Sequence, residues 1–167
     1  MEIFMLMKGR SHKFGNDINT DYIISGKYKF KTLDLKELAK HIMEDICPDF
    51  YENLKPGDFM VAGSNFGCGS SREQAPLAVK HAGVGAVLAR SFARIFFRNS
   101  INIGLPLLEC ETDKIKQGDA LEIDLKKGII FDKTRNVILR AYPLPEIMLK
   151  IFNAGGLANY LRRHGSF

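Results

Sequence analysis

Tryptophan is absent from this chain and cysteine is scarce: Cys47, Cys68 and Cys110 are the only three in 167 residues. Their odd number and the lack of any CxxC spacing argue against a disulfide framework and against a complete metal site built from this chain alone. Any metal must come from elsewhere. Long apolar runs are also missing. The stretch Ile3 to Met7 is far too short for a signal-peptide core or a membrane span, so the expectation is a cytoplasmic chain with no membrane partner. Neither sign of charge dominates. Lys plus Arg outnumber Asp plus Glu by 24 to 19, and the net +5 fits a mildly basic surface or a pocket for acidic substrates or an acidic partner. Nucleic acid is the weaker option. The positive charges are scattered apart from Lys27, Lys29, Lys31 and the terminal Arg162 and Arg163, and no RRM, zinc-finger or helix-turn-helix pattern occurs.

What is present is an ordinary globular composition, 46% hydrophobic and 26% charged, with no internal repeat and no linker. The length suits one domain, taken as residues 1–167. Ile3 to Lys8 has strand character and is expected to end at Gly9-Arg10. Ser11 to Gly26 is rich in Gly, Asn, Asp and Thr and reads as a long ordered loop, which hints at a task. Calcium at Asp17, Asn19 and Asp21 falls short, because an EF-hand loop counted from Asp17 would need Gly and Glu where Tyr22 and Tyr28 stand.

Leu33 to Met43 has helical periodicity, with Asp34 as a possible N-cap. Asp58 to Ala62, a helix near Pro76 that ends at Gly83, and Gly85 to Ala89 then make a strand-helix-strand unit. Such a unit implies a parallel pair. Ser91 to Ser100 reads as a helix with Ser91 a possible cap, and Leu105 to Glu109 as a strand. Ala120 to Leu125, Gly128 to Phe131 and Asn136 to Ala141 suggest an antiparallel meander. Pro145 opens a helix stopped by Gly155-Gly156, and a short helix follows from Leu157 to Arg163. The fold class is therefore α/β with a mixed sheet.

The densest chemistry lies in Val61-Ala-Gly-Ser-Asn-Phe-Gly-Cys-Gly-Ser-Ser-Arg-Glu-Gln-Ala-Pro76. Glycines at 63, 67 and 69 permit positive φ and let several N–H groups converge, as in an anion site. Better-known patterns fail. No Lys follows for a Walker A loop, Arg72 stands where a dinucleotide fingerprint needs Gly, and the nucleophile elbow G-x-S-x-G is absent. Cys68 between two glycines could be a nucleophile, yet no His is fixed beside it, and a small buried Cys is the commoner outcome. Two readings of Ser70-Ser71-Arg72-Glu73 stay open. Ser70 or Ser71 caps a helix beginning near Ser71, with Glu73 or Gln74 completing a capping box; or a serine acts as a base, its alkoxide stabilised by backbone N–H groups, a helix N-terminus and Arg72. Arg72 favours the second, because a guanidinium in the first turn of a helix is disfavoured by the dipole unless an anionic ligand is bound.

Gly67-Cys-Gly-Ser-Ser-Arg-Glu-Gln74, followed by Ser91-Phe-Ala-Arg-Ile95, resembles the swivel domain of the aconitase superfamily, in its free-standing form the small-subunit family of 3-isopropylmalate dehydratases. Gly9-Arg-Ser-His-Lys-Phe-Gly15, Asp17-Ile-Asn-Thr-Asp-Tyr-Ile23 and Gly155-Gly-Leu157 also look like that family, so the likeness runs over nearly the whole chain. The resemblance implies a three-layer β/β/α swivel domain and a hydro-lyase whose active site forms only against a large subunit carrying a [4Fe-4S] cluster. No cofactor is expected on this chain itself. The implied reaction moves water between adjacent carbons of a hydroxy-dicarboxylate, as in the isomerisation of 2- and 3-isopropylmalate in leucine biosynthesis. Ser70 matches the family's base. Arg72 matches its electrostatic support, Ser71 and Arg72 bind substrate carboxylate, and Arg10 occupies the place of another carboxylate-binding arginine. Phe30, in the loop Gly26-Lys-Tyr-Lys-Phe-Lys-Thr32, suits an alkyl substituent, while Lys29 and Lys31 either tune that loop or form a solvated rim. A homoaconitase or 2,3-dimethylmalate dehydratase small subunit is the neighbouring alternative. A non-catalytic anion-binding or RNA-binding module is the alternative of another class.

Overall fold

A computed structural model describes residues 6–28 and 34–166. In chain order the strands are β1 (Met7–Lys13), β2 (Phe59–Val61), β3 (Ala86–Ala89), β4 (Leu107–Glu109), β5 (Ala120–Asp124), β6 (Ile129–Asp132) and β7 (Val137–Arg140). The helices are α1 (Thr20–Ile23), α2 (Leu35–Ala39), α3 (Phe50–Asn53), α4 (Gln74–His81), α5 (Arg94–Ile103), α6 (Glu146–Ala154) and α7 (Leu157–His164). All seven strands join one mixed sheet in the order β4-β3-β2-β1-β5-β6-β7, the α/β class the pattern predicts.

β1 is the hinge of this sheet. Met7 to Arg10 pair antiparallel with β5, whereas Ser11 to Lys13 pair parallel with β2. Gly9 lets the chain pass close at that point, for a Cβ there would lie 2.6 Å from the Gly57 carbonyl oxygen. Beyond β1 the sheet curls over. Leu121, Ile123 and Ile130 of the antiparallel strands share one core with Phe59, Val61, Ala86 and Leu88 of the parallel strands, together with Ile151 and Phe152 of α6. The opposite faces of β2 and β3, through Met60, Val87 and Ala89, pack against Leu38, Phe50, Ala75, Ala78 and Val79 from α2, α3 and α4. Antiparallel strands, parallel strands and helices thus form successive layers.

Several local expectations are corrected. β1 does not stop at Gly9-Arg10 but continues to Lys13, because β2 offers it a ladder no local pattern reveals; the part of the expected strand before Leu6 lies outside the described residues. The long loop therefore begins later, and it contains α1, whose N-cap is the Asn19 side chain accepting from Tyr22 N–H. Asp34 does cap α2, accepting from Lys36 N–H at 3.0 Å. The helix ends at Ala39 instead of Met43, since the chain passes into turns and Met43 is left-handed at φ 59°. The expected helix from Ser91 starts at Arg94. Ser91 is not its cap, because its hydroxyl accepts from Asn65 N–H at 2.8 Å.

Candidate functional site

The parallel strands leave a shelf at their C-terminal ends, and the glycine-rich stretch is built on it by bonds to two distant segments. From below, Ala62 N–H donates to Leu88 O, Arg90 N–H to Gly63 O and Phe66 N–H to Ser91 O. From the side come residues 15–20. Gly63 N–H donates to Gly15 O, Asp17 N–H to Ser64 O, Gly67 N–H to Ile18 O and Thr20 N–H to Cys68 O, all between 2.7 and 3.0 Å. Asn16 Oδ1 accepts from Ser64 N–H at 2.8 Å and from Arg90 Nη2 at 2.9 Å. This loop takes the place of a neighbouring strand. Its other polar groups are committed too: Asp17 accepts from Asn65 Nδ2, and Thr20 Oγ1 donates to Ser70 O at 2.9 Å.

The glycine at 67 is required twice over. Its φ is +84°, and a Cβ would overlap the Phe96 ring at 2.2 Å, where the start of α5 packs beneath the loop. That close approach keeps Phe66 fully buried and presents Gly69, Ser70 and Ser71 to solvent on the other side.

Ser70, Ser71 and Arg72 are brought together, but not as helix residues. α4 begins at Gln74, and its N-cap position, Glu73, makes no side-chain cap bond. The capping-box reading is therefore overturned. The serine hydroxyls engage no described residue, and Arg72 N–H instead donates to Ser70 O at 2.9 Å to form a tight turn ahead of the helix. Arg72 therefore lies ahead of the first helical turn, where the helix dipole does not single out its guanidinium. The Arg72 side chain is only 18% exposed, Nη2 pairs with Asp21 Oδ1 at 2.6 Å, and Nη1 is buried with no hydrogen-bond acceptor among the described residues. A buried guanidinium N–H with no acceptor is a position an incoming carboxylate oxygen would satisfy.

Arg10 is not part of this group. Its amide donates to Asp58 Oδ1 and its Nη1 to Gly118 O, both beside the start of β2, whereas the serine pair lies beyond the end of that strand. Phe30, with Lys29 and Lys31, lies outside the described residues. The sequence does not single out Asp21 and Thr20 as partners of the serine-arginine turn. The composition of residues 15–21 marked a loop with a task, but nothing in it names a partner some 50 residues away.

Among the described residues no group of three His, Cys, Asp or Glu side chains is placed to hold a metal. Asp17, Asn19 and Asp21, the weighed calcium set, are each spent on a different partner. Cys110 is buried and its thiol is pushed up to about 12, chiefly by burial, so it is neither nucleophile nor ready ligand. Nor is any helix of the described residues long and apolar enough to cross a membrane.

Residues 10–113 match the model of the aconitase C-terminal domain. The small subunit 2 of 3-isopropylmalate dehydratase from Archaeoglobus fulgidus is 56% identical over 161 residues, covering 96% of this chain and 98% of that protein. The 3-isopropylmalate dehydratase small subunit of Methanosarcina mazei is 54% identical over 94% of this chain and 97% of that one. The crystal structure of a 3-isopropylmalate dehydratase (leuD) from Methanocaldococcus jannaschii superposes with a TM-score of 0.92 at 50% identity, covering 96% of both chains. Fold, motif order and full-length similarity agree, and the chain belongs to the aconitase C-terminal domain family and, within it, to the small subunits of 3-isopropylmalate dehydratase.

Proposed function

We infer that this chain supplies the proton-transfer and carboxylate-binding half of a hydro-lyase that interconverts 2- and 3-isopropylmalate in the cytoplasm, for leucine biosynthesis. The other half, with a [4Fe-4S] cluster, belongs to a large subunit. Among the described residues no set of side chains fits a cluster; held by the large subunit, it would polarise the leaving hydroxyl. The observation that carries the reading is Arg72 Nη1, buried with no acceptor among the described residues, in the same turn as two exposed serines whose hydroxyls engage no described residue.

Ser70, as alkoxide, takes the proton from the carbon next to the one bearing the hydroxyl. The C–H electron pair becomes the double bond as the C–O bond breaks; the departing hydroxide and the proton held on Ser70 together make up the one water lost, and their return with the two carbons exchanged gives the isomer. An exposed serine needs help to lose its proton. Arg72 gives it through its positive charge and Ser71 through its hydroxyl, while both hold the substrate carboxylate. Thr20 and the Arg72 amide fix the Ser70 carbonyl, and so the direction of its side chain. Arg10 and Phe30 remain proposed substrate contacts, with Arg10 the less favoured because its guanidinium donates to Gly118 O. The shared seven-stranded sheet supports treating residues 1–167 as one domain.

The test is reconstitution with the large subunit and an assay of isopropylmalate isomerisation. Activity lost in Ser70→Ala supports the reading. Turnover of homocitrate or 2,3-dimethylmalate in its place would overturn the substrate.

A further inference from the structure

Asp21 holds one side of Arg72, and main chain stands against the other. Gly26 lies so near the guanidinium that a Cβ there would come within 3.2 Å of both Nη1 and Nη2. Gly26 opens a single 3-10 turn, Gly26–Tyr28, and the far end of that turn is anchored. The Tyr28 ring stacks on His41, with centroids 4.1 Å and planes 15° apart. Its hydroxyl donates to Glu44 Oε1, and His41 Nδ1 lies 2.9 Å from Glu44 Oε2. Lys27 adds a weaker attraction, its Nζ 3.8 Å from Glu44 Oε1. Burial opposes ionisation of Glu44, yet the bonds from Tyr28 and His41 outweigh it and hold its carboxyl below the ordinary range. Both oxygens of an ionised Glu44 are acceptors, so Tyr28 and His41 are the donors, His41 from a protonated Nδ1.

The segment that carries His41 and Glu44 is itself tied to the site. Met43, left-handed and fully buried, donates its N–H to Ile23 O at 2.9 Å, at the end of α1. The same short helix carries Asp21. Arg72 therefore sits inside a closed frame: Asp21 and α1, then the Met43 turn, then Glu44 and His41 to Tyr28, and back along the 3-10 turn to Gly26.

We propose that Tyr28, His41 and Glu44 are positioning residues for Arg72, fixing the Gly26 main chain against the guanidinium so that Nη1, which has no acceptor among the described residues, meets the substrate carboxylate. This rests on the reading of Arg72 as a carboxylate ligand. The cluster acts on substrate affinity, not on the proton transfer at Ser70.

The test uses the full chain reconstituted with its large subunit and steady-state kinetics on 3-isopropylmalate. Glu44→Gln is expected to raise KM about five- to tenfold with kcat within about twofold, the pattern of lost ground-state binding. Tyr28→Phe keeps the stack and loses one bond, for a rise of about two- to fivefold. Arg72→Lys raises KM by itself, and adding Glu44→Gln to it changes KM no further, because the frame acts through Arg72. Unchanged KM in Glu44→Gln and Tyr28→Phe, with Arg72→Lys impaired, overturns the frame and leaves the reading of Arg72 standing. Unchanged KM in Arg72→Lys overturns that reading and the frame with it. A full additional effect of Glu44→Gln in the Arg72→Lys background would mark general loosening and also overturns the frame. Should Glu44→Gln fail to fold, Tyr28→Phe alone carries the test.

Discussion

The two halves of the sheet are built by opposite rules. In β2 and β3 every residue is buried, since helices cover one face and the curled antiparallel strands the other. In β5 and β6 buried and half-buried residues alternate, and in β7 half-buried alternate with exposed. The connections differ in the same sense. The antiparallel strands are joined by turns of four residues, 125–128 and 133–136, whereas each parallel strand releases a longer segment at its C-terminal end. Short turns leave no backbone to spare. The serine-arginine turn sits at the parallel end, where the topology leaves long connections and residues 15–20 dock beside it.

The largest expected effect separates chemistry from folding within the parallel half. Ser70 is exposed and its hydroxyl engages no described residue, so Ser70→Ala should leave stability within about 0.5 kcal/mol. The reconstituted enzyme should lose roughly 10²- to 10⁴-fold in kcat. A matching loss of stability in urea denaturation would mean that the turn, and not the alkoxide, is what the serine provides.

Next comes one substitution placed in each half. Gly67→Ala meets a φ of +84° and the Phe96 ring at 2.2 Å. It should destabilise by about 3 kcal/mol or more, the left-handed strain adding to overpacking. Gly128→Ala, in the β5–β6 turn, meets φ +68° and the Ala141 carbonyl oxygen at 3.2 Å. Strain alone costs about 1 to 2 kcal/mol there. Equal losses in the two variants would erase the claimed difference in tightness between the halves.

A third change falls on the junction. Asp58, 6% exposed, accepts from Arg10 N–H at 3.0 Å and Lys55 N–H at 3.1 Å and pairs with His12 Nε2 at 2.8 Å, bracing β1 against β2 where the sheet changes direction. Burial works against its ionisation, but those three partners prevail and hold its carboxyl below the ordinary value of 3.8. Asp58→Asn should cost about 1 to 3 kcal/mol at neutral pH. The sign in pH follows from the depressed value. The stabilisation is present above 3.8 and fades as pH falls through the lower folded value, so wild type and variant converge only in strong acid.

What the sequence discloses differs between the halves for a physical reason. The meander is written in period-two alternation and turn residues, both local, and Ala120 to Asp124, Ile129 to Asp132 and Val137 to Arg140 lie where the pattern puts them. The strand-helix-strand unit is equally local. The continuation of β1 to Lys13 and the docking of residues 15–20 depend on partners about 48 residues away, to which no periodicity points. The site is legible in the same uneven way. Gly67 and Gly69 announce a tight turn by type and spacing, and Ser70 and Arg72 do lie in it. The identity of Asp21 as the guanidinium's partner, and of Asn65 as the partner of Ser91, follows only from the fold.

The smallest predicted effect lies wholly in the antiparallel half and carries the opposite sign from that at Asp58. Asp119 and Asp132 are 2% and 1% exposed and their carboxyls lie against each other. Arg135 Nε, at 2.8 Å, and Lys116 N–H, at 2.9 Å, both donate to Asp119 Oδ2 and keep that group ionised. Asp132 Oδ2 is buried with no described donor, as suits the protonated partner, and burial followed by the Asp119 carboxylate pushes its carboxyl above 3.8. Here folding retains a proton that the unfolded chain gives up. Stability from Asp132 is therefore present below 3.8 and declines as pH rises through the higher folded value, while that from Asp119, whose carboxyl is held below 3.8, fades as pH falls. Asp132→Asn keeps a donor toward Asp119 at every pH, so it should remove the decline and stabilise by about 0.5 to 1.5 kcal/mol above that window. Chemical denaturation at several pH values reads both variants together: Asp58→Asn loses its penalty only in acid, whereas Asp132→Asn gains only as pH rises. If both variants shift stability in the same pH range, the junction and the meander share one electrostatic unit and the division between the halves ends at packing.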